Sequence, residues 1–382
     1  MVETNASKKN GDDIFITDLT IHKVRHLKDI HIPLSKDERK HLILTGKNGS
    51  GKTSVLEWLK NYLHAIYDNP DIIKNIREFI DLEFNLNSIP NGEMLKFLAS
   101  PNFIFAYYKA KREAFMQIPH GVKKIDLKNF YKIDENPGRD FLQHIVNLKA
   151  DKSFARDDND HETVKNIETW FEMFEKSLKE IFEDKFLRLE FDRQNYDFNI
   201  IQKGKEPFGF NTLADGYSAI INMVTDLMLR MEKNKTKSYN VQGVVLIDEL
   251  EAHLHLDLQK KIFPFLIRFF PRIQFIVSTH SPFVLSSIEN AVIYDLEKNL
   301  LVGDLSGYSY DGIVEGYFRN DKYSEIVKGN LETYERLLNM ETRTEDEEEQ
   351  MMDLRIELEN IPDSLAPELK ARFQRIELKR IK

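Results

Sequence analysis

The sequence predicts an α/β fold built on a parallel sheet, with a helical insert and a helical carboxyl-terminal region. Three observations carry that expectation. The segment Gly46 to Thr53 reads GxxxxGK[ST] and lies between the apolar run Leu42-Ile43-Leu44 and a helical pattern, the context a phosphate-binding loop requires. Two later runs, Val244 to Ile247 and Phe275 to Val277, are wholly apolar, as strands covered on both faces are. Residues 210–300 read helix, strand, helix, strand, the alternation of a parallel sheet.

The elements follow in order. Ile14, Ile16, Leu19, Ile21, Ile30 and Ile32 alternate with polar residues and predict short strands before the buried strand at 42–44. Gly46, Gly49 and Gly51 permit backbone conformations a side chain would block, so consecutive N–H groups can wrap phosphates. Lys52 is expected to reach the β- and γ-phosphates, and Thr53 to offer a hydroxyl to Mg²⁺. The helix starting near Lys52 directs its positive dipole end at the anion. Asn48, Ser50 and Ser54 complete the predicted ATP-binding set. That helix carries Val55, Leu56, Leu59, Leu63 and Ile66 on one face.

From about residue 67 to 184 the pattern is mostly helical and irregular, with one strand expected at Phe103–Tyr108. Trp170, Phe171, Phe174, Leu178 and Ile181 share a helical phase, and strands are expected at 187–191 and 198–201. Beyond Tyr310 the chain turns helical and charged. Thr344 with Glu347 forms a capping-box pattern ahead of Met351, Leu354 and Leu358, while Pro362 and Pro367 punctuate the approach to a last helix.

Composition bounds the function. The 382 residues, 41% hydrophobic, suffice for a large core. No apolar run reaches the length of a membrane span and the start Met1 to Lys9 lacks a signal-peptide core, so a cytoplasmic protein without a membrane partner is expected. With no cysteine, disulfides, thiolate zinc sites and cysteine nucleophiles are excluded. The net charge is −9, yet residues 101–150 hold nine Lys/Arg against five Asp/Glu, and 341–359 hold nine acids against two bases. If DNA is a partner, Lys109, Lys111, Arg112, Lys123 and Lys124 are the expected phosphate contacts. The run Glu345 to Glu349 reads as a solvated helix start.

The chemistry concentrates at strand ends. Val244 to Ile247 runs into Asp248 and Glu249 at its carboxyl end, where ligands of open α/β sheets sit. Asp248 is expected to hold Mg²⁺, and Glu249 to orient or deprotonate the water attacking the γ-phosphate. The strand at 275–277 delivers His280 to the same edge, where it is expected to contact the γ-phosphate.

The order of these parts, phosphate loop, Leu213-Ala-Asp-Gly-Tyr217, the acidic strand end, Asp257 and His280, resembles the ATP-binding-cassette (ABC) ATPases, including their SMC and RecF-like branch. The resemblance covers residues 13–300. It implies an ABC-ATPase head that closes as a dimer around ATP and Mg²⁺, with Asp215 and Gly216 reaching in trans to the partner's nucleotide and His255-Leu-Asp257 as the connecting D-loop. Ala214 stands where serine is usual, which implies slow turnover. Gln117 is the candidate for the Q-loop glutamine, and Arg25-His26 for a basic nucleotide contact.

The resemblance also implies four regions: a first head lobe at 1–66, the insert at 67–184, a second head lobe at 185–310 and the helical region 311–382. Glu249-Leu-Glu-Ala-His-Leu-His255, Phe210 to Ser218 and Leu305 to Asp311 look like AAA_21-like, Septu-type ATPases of prokaryotic antiphage defence, which implies a separate HNH nuclease partner. Two rivals are weighed. A RecF- or SMC-like repair ATPase needs a basic groove and usually a long coiled coil, and no long heptad run exists here. An OLD-like ATPase fused to a Toprim nuclease would start its nuclease near Ile313-Val-Glu-Gly316 and Asp321, but no apolar strand ending in DxD follows.

Overall fold

The structure, a computed structural model, describes residues 13–85, 93–112, 115–232, 239–317, 325–340, 342–361 and 367–380. Asp321 and Pro362 lie outside the described residues. The chain divides into two compact units, one ending at Gly307 and one beginning at Tyr308.

The first unit opens with β1 (Ile16–Val24) and β2 (Leu27–Pro33), followed by β3 (His41–Thr45) and β4 (Ile80–Phe84). The sequence β2-β1-β4 forms an antiparallel sheet whose inward residues, Leu19, Ile21, Ile30 and Ile32 among them, are buried. Strand β4 breaks the helical pattern expected after residue 67: Ile80, Leu82 and Phe84 alternate with Asp81 and Glu83 and complete that sheet.

The central sheet contains β3 together with β5 (Phe103–Tyr108), β9 (Gln242–Ile247), β10 (Ile273–Ser278), β11 (Ala291–Asp295) and β12 (Leu300–Val302). Its order is β12-β11-β3-β10-β9-β5, parallel throughout except for β12 at the edge. Strands β9 and β10 are buried at every position, which is why Val244 to Ile247 and Phe275 to Val277 read as apolar runs. The two glutamines in these strands tie the sheets together. Gln274 accepts from the Ile16 N–H at 2.7 Å and donates to its carbonyl at 2.9 Å, and Gln242 accepts from the Ile14 N–H at 2.8 Å. His41 accepts at Nδ1 from the Phe275 N–H at 3.1 Å, and burial holds its pKa down to about 3, so the imidazole is neutral at physiological pH.

Helix α1 (Lys52–Asp68) packs its Val55, Leu56, Leu59 and Leu63 face into the core that joins both sheets. The insert contributes α2 (Phe141–Asp157) and α3 (His161–Ile181), packed through Phe141, Trp170 and Phe174. A small antiparallel sheet follows: β6 (Arg188–Asp192), β7 (Asp197–Ile201) and the short β8 (Phe208–Gly209). Helices α4 (Asp215–Glu232) and α5 (Leu256–Phe269) flank β9 in sequence.

In the second unit, Ile313–Tyr317 is a π-helical turn, so no strand begins at Ile313-Val-Glu-Gly316. Helices α6 (Glu325–Leu338), α7 (Glu345–Glu359) and α8 (Pro367–Arg380) enclose a core of Leu331, Tyr334, Leu337, Leu354, Leu358, Leu369, Phe373 and Ile376. Thr344 caps α7 by accepting from the Glu347 N–H, and Glu347 accepts in return from the Thr344 N–H at 2.9 Å. Among the described residues, no helix is long and apolar enough to cross a membrane.

Candidate nucleotide-binding and hydrolysis site

The site lies at the carboxyl ends of β3, β9 and β10, which are parallel neighbours, so topology alone brings residues 46–53, 248–251 and 278–281 together. The loop after β3 owes its shape to Gly46, Gly49 and Gly51, with φ of 125°, 84° and 101°. A Cβ at Gly46 would lie 2.9 Å from Ser50 Oγ, and one at Gly51 would lie 2.8 Å from Leu27 Cδ1. Gly49 faces open space, so its requirement for glycine is purely the left-handed backbone.

Lys52 is buried, and its Nζ donates to the carbonyls of Gly46 at 2.8 Å and Lys47 at 3.1 Å, which holds the ammonium within the loop. Burial lowers its pKa, opposed by Glu249, Glu251, Asp248 and Asp295. Asn48 and Thr53 are exposed. Ser50 contributes its main chain to the loop, donating to the Lys47 carbonyl at 3.1 Å, while its buried hydroxyl sits against Gly46. Ser54 is buried on α1.

Ser278 organises the acidic corner. Its hydroxyl donates to Asp248 Oδ1 at 2.6 Å and accepts from the Glu249 N–H at 2.8 Å, while its carbonyl accepts from the Leu250 N–H at 3.0 Å. Asp248 is buried, its N–H bonded to the Tyr108 carbonyl at 2.8 Å. Glu249 is half-buried and has φ of 46°, a left-handed conformation that side chains disfavour.

Two residues complete this corner that the motifs did not assign to it. Arg112 donates through one nitrogen to the carbonyls of Asp248 at 2.7 Å and Glu249 at 2.8 Å, and through another to Leu250 at 3.4 Å. Burial pushes its pKa down to about 10, against the pull of Glu251, Asp248 and Glu249, so it stays charged at neutral pH. Its expected role as an exposed DNA phosphate contact is therefore corrected: the guanidinium is committed to main-chain carbonyls. Glu251 accepts from Thr279 Oγ1 at 2.7 Å and from the His280 N–H at 2.5 Å, which fixes the turn carrying the histidine. A carboxylate two positions beyond Glu249 was the available sequence signal.

His280 is half-buried, and burial followed by the charge of Lys52 lowers its pKa, opposed by Glu251, Glu249 and Asp248. The imidazole is thus neutral at physiological pH, a state able to donate from one nitrogen and accept at the other. Lys52, Asp248, Glu249 and His280 all share one electrostatic neighbourhood.

The remaining candidates surround this cluster. Ala214 precedes α4, which begins with Asp215 and Gly216, and a Cβ on Gly216 would meet the His253 carbonyl at 2.8 Å, so this turn packs directly on His253 and Leu254. Tyr217 stacks on Phe182 with ring centroids 4.5 Å apart. His255 and Asp257 are exposed, 3.8 Å apart. Gln117 is exposed and donates its main-chain N–H to the Arg139 carbonyl; its neighbour Met116 is bracketed by the Asn211 amide, which ties this stretch to the chain just ahead of Leu213-Ala-Asp-Gly-Tyr217. Arg25 and His26 occupy the β1–β2 turn, and the His26 ring lies beside Gly51.

Oxygen donors from Asp248 and Thr53 suit a hard cation such as Mg²⁺, which prefers carboxylate, hydroxyl and phosphate oxygen. Glycine-shaped loop, buried lysine, oxygen donors and the Glu249 carboxylate meet at one sheet edge, and these are group types that phosphoryl transfer to water uses.

Known proteins resemble this chain over parts of its length. The AAA_21 family, described as "AAA domain, putative AbiEii toxin, Type IV TA system", matches residues 105–286. The "Septu protein PtuA" of Bacillus mycoides is 26% identical over 316 residues, covering 78% of this chain and 42% of the relative, so the chain spans less than half of that protein. The "Retron Vc95 probable ATPase" of Vibrio cholerae is 24% identical over 360 residues, covering 69% of this chain and 70% of the relative. Among solved structures, the SMC head domain from Thermotoga maritima aligns with a TM-score of 0.38 and 13% identity, over 73% of this chain and 94% of that one. With its phosphate loop, acidic strand end and AAA_21 segment, this chain is similar to the Septu and retron ATPases.

Proposed function

We propose that this chain hydrolyses ATP with Mg²⁺ and closes as a dimer around the nucleotide, as the regulatory subunit of a separate HNH-type nuclease in prokaryotic antiphage defence. The observation that carries the ATPase reading is the convergence of Lys52, Asp248, Glu249 and His280 at the ends of three adjacent parallel strands. The defence role and the nuclease rest on similarity to Septu and retron ATPases.

In this reading the loop N–H groups and Lys52 bind the β- and γ-phosphates, and Asp248 and Thr53 hold the cation, which neutralises charge on the phosphate oxygens. Glu249, exposed enough to meet solvent and aimed by its left-handed backbone, takes the proton of the attacking water. Neutral His280 donates a hydrogen bond to the γ-phosphate. Gly216 and the start of α4 face the nucleotide of the second copy, and Ala214 supplies no hydroxyl there, which slows turnover.

Closure is the switch: ATP binds the paired state better than the open one and shifts the population by that difference. The test is mass measurement by light scattering with ATP and Mg²⁺. Glu249→Gln is expected to accumulate as a dimer or higher oligomer with turnover reduced by about 10²–10⁴-fold, the usual worth of a general base, while Lys52→Ala stays in its nucleotide-free state. Equal oligomerisation of the two variants would overturn the switch. Purification of Glu249→Gln from its host with ATP present tests the partner, a stoichiometric small HNH protein being the expected companion.

A further inference from the structure

A second charged cleft lies between the insert helix α2 and the β6–β7 turn. On α2, Lys149, Lys152 and Arg156 recur at intervals of three and four and share one face. Phe191 of β6 with Arg193 and Tyr196 of the β6–β7 turn form the opposite wall of a cleft of about 560 Å³. Four of its ten lining residues are cationic and none is acidic.

The charge is only partly answered within the protein. Glu168 is shared by Lys152 at 2.7 Å and Arg156 at 3.2 Å, one carboxylate for two cations. Lys149 Nζ lies 4.2 Å from the Phe171 ring centroid. Burial lowers its pKa, and Lys152 and Arg156 push in the same direction against Glu168 and Glu175. Crowded like charges in a cleft are stabilised by an anion, and the cleft walls focus the field on whatever enters.

The aromatic wall selects among anions. Phe191 is held against Phe198 with centroids 5.0 Å apart, while Tyr196 stands 36% exposed. An exposed ring beside cations is the platform on which an unpaired base stacks while its phosphates meet the positive charge. Stacking requires the base to leave a duplex, which favours a single strand. Two further basic residues, Lys123 and Lys124, follow the lining residue Val122 in sequence. Val122 lines the cleft, and Asn147 on α2 binds the Lys123 main chain in both directions, at 2.7 and 3.2 Å, so the chain is held against α2 at the border of the cleft. Continuation along the border fits a polymer and exceeds what a mononucleotide needs.

We infer that the cleft between α2 and the β6–β7 turn binds single-stranded nucleic acid, with phosphates held by Lys149, Lys152, Arg156 and Arg193 and a base stacked on Tyr196. The inference is independent of ATP hydrolysis and of dimer closure.

Fluorescence anisotropy of the full chain with labelled oligo-dT and oligo-U across a salt series, without ATP, tests it. Wild type is expected to bind a single strand more tightly than a duplex of equal length, DNA and RNA probes deciding between the two sources. Arg156→Gln with Arg193→Gln is expected to weaken binding at least tenfold and to reduce the slope of log affinity against log salt by about 1.4, roughly 0.7 for each lost phosphate contact. Tyr196→Asn tolerates the left-handed backbone at φ 52° and removes only the ring, with an expected loss of about fivefold or more. Unchanged thermal unfolding and unchanged ATP binding in these variants separate a lost contact from a lost fold. Absence of binding in wild type, variants that bind like wild type, preference for duplex, or displacement by AMP at matched phosphate concentration would each overturn the inference.

Discussion

Arg112 joins one guanidinium to consecutive carbonyls of the acidic turn, and within that turn Glu249 holds a left-handed conformation. Such a backbone at a side-chain-bearing residue costs on the order of 1–3 kcal/mol. Hydrogen bonds from a charged donor contribute about 1.5–3 kcal/mol each and offset it. Arg112→Ala should therefore release the turn, with kcat for ATP hydrolysis falling about tenfold or more and KM changing little, measured by steady-state kinetics. Arg112→Lys should recover only part, because an ammonium cannot bridge several carbonyls in a plane. A rise in KM at constant kcat would refute the positioning role. This role was illegible in sequence: Lys109, Lys111 and Arg112 look the same as a string whether solvated or clamped, and the carbonyls concerned lie 136–138 residues away. Lys52, Asp248 and Glu249 were legible because their motifs encode local backbone shape along with chemistry.

Among the elements, α4, which begins at Asp215-Gly216, is anchored to β5 and to residues 132–138 by a buried polar network. Asp226 accepts from Tyr108 Oη at 2.6 Å and from Arg230 Nε at 2.8 Å, and from the Gly138 N–H at 3.2 Å. Arg230 also donates to the carbonyls of Phe105 and Lys132, each at 3.0 Å, and to that of Glu135. Asp226 is fully buried and Arg230 nearly so, which makes an unpaired survivor expensive. Asp226→Ala should destabilise the unit by about 3–5 kcal/mol, read as the chemical-denaturation midpoint, and Arg230→Ala likewise. The double variant should lose less than the sum by about 0.5–3 kcal/mol, because the two act as one network. Strict additivity would mean the pair is not coupled. The same network explains why residues 131–136 are ordered without regular structure, which no periodicity announced. Strands β9 and β10 were legible as apolar runs, whereas β4 sits between short helical stretches and its alternation spans only five residues.

At the scale of the whole chain, the first unit carries the entire candidate site, and ATP that binds only its folded form must stabilise it by mass action. The two tryptophans of the sequence, Trp58 on α1 and Trp170 on α3, both lie in this unit, so tryptophan emission follows its unfolding separately from that of the helical unit. With ATP and Mg²⁺ at 100 times the dissociation constant, the gain is about 2.7 kcal/mol. At about 2–4 °C per kcal/mol for domains of this order, the midpoint should rise by roughly 5 °C or more. Lys52→Ala should show no rise at the same nucleotide concentration, and Glu249→Gln should show at least that of wild type. Dimer closure adds a second dependence, because a nucleotide shared by two copies stabilises more as protein concentration increases. A rise that is constant across protein concentration would refute the shared site while leaving nucleotide binding intact; no rise at any concentration would refute both.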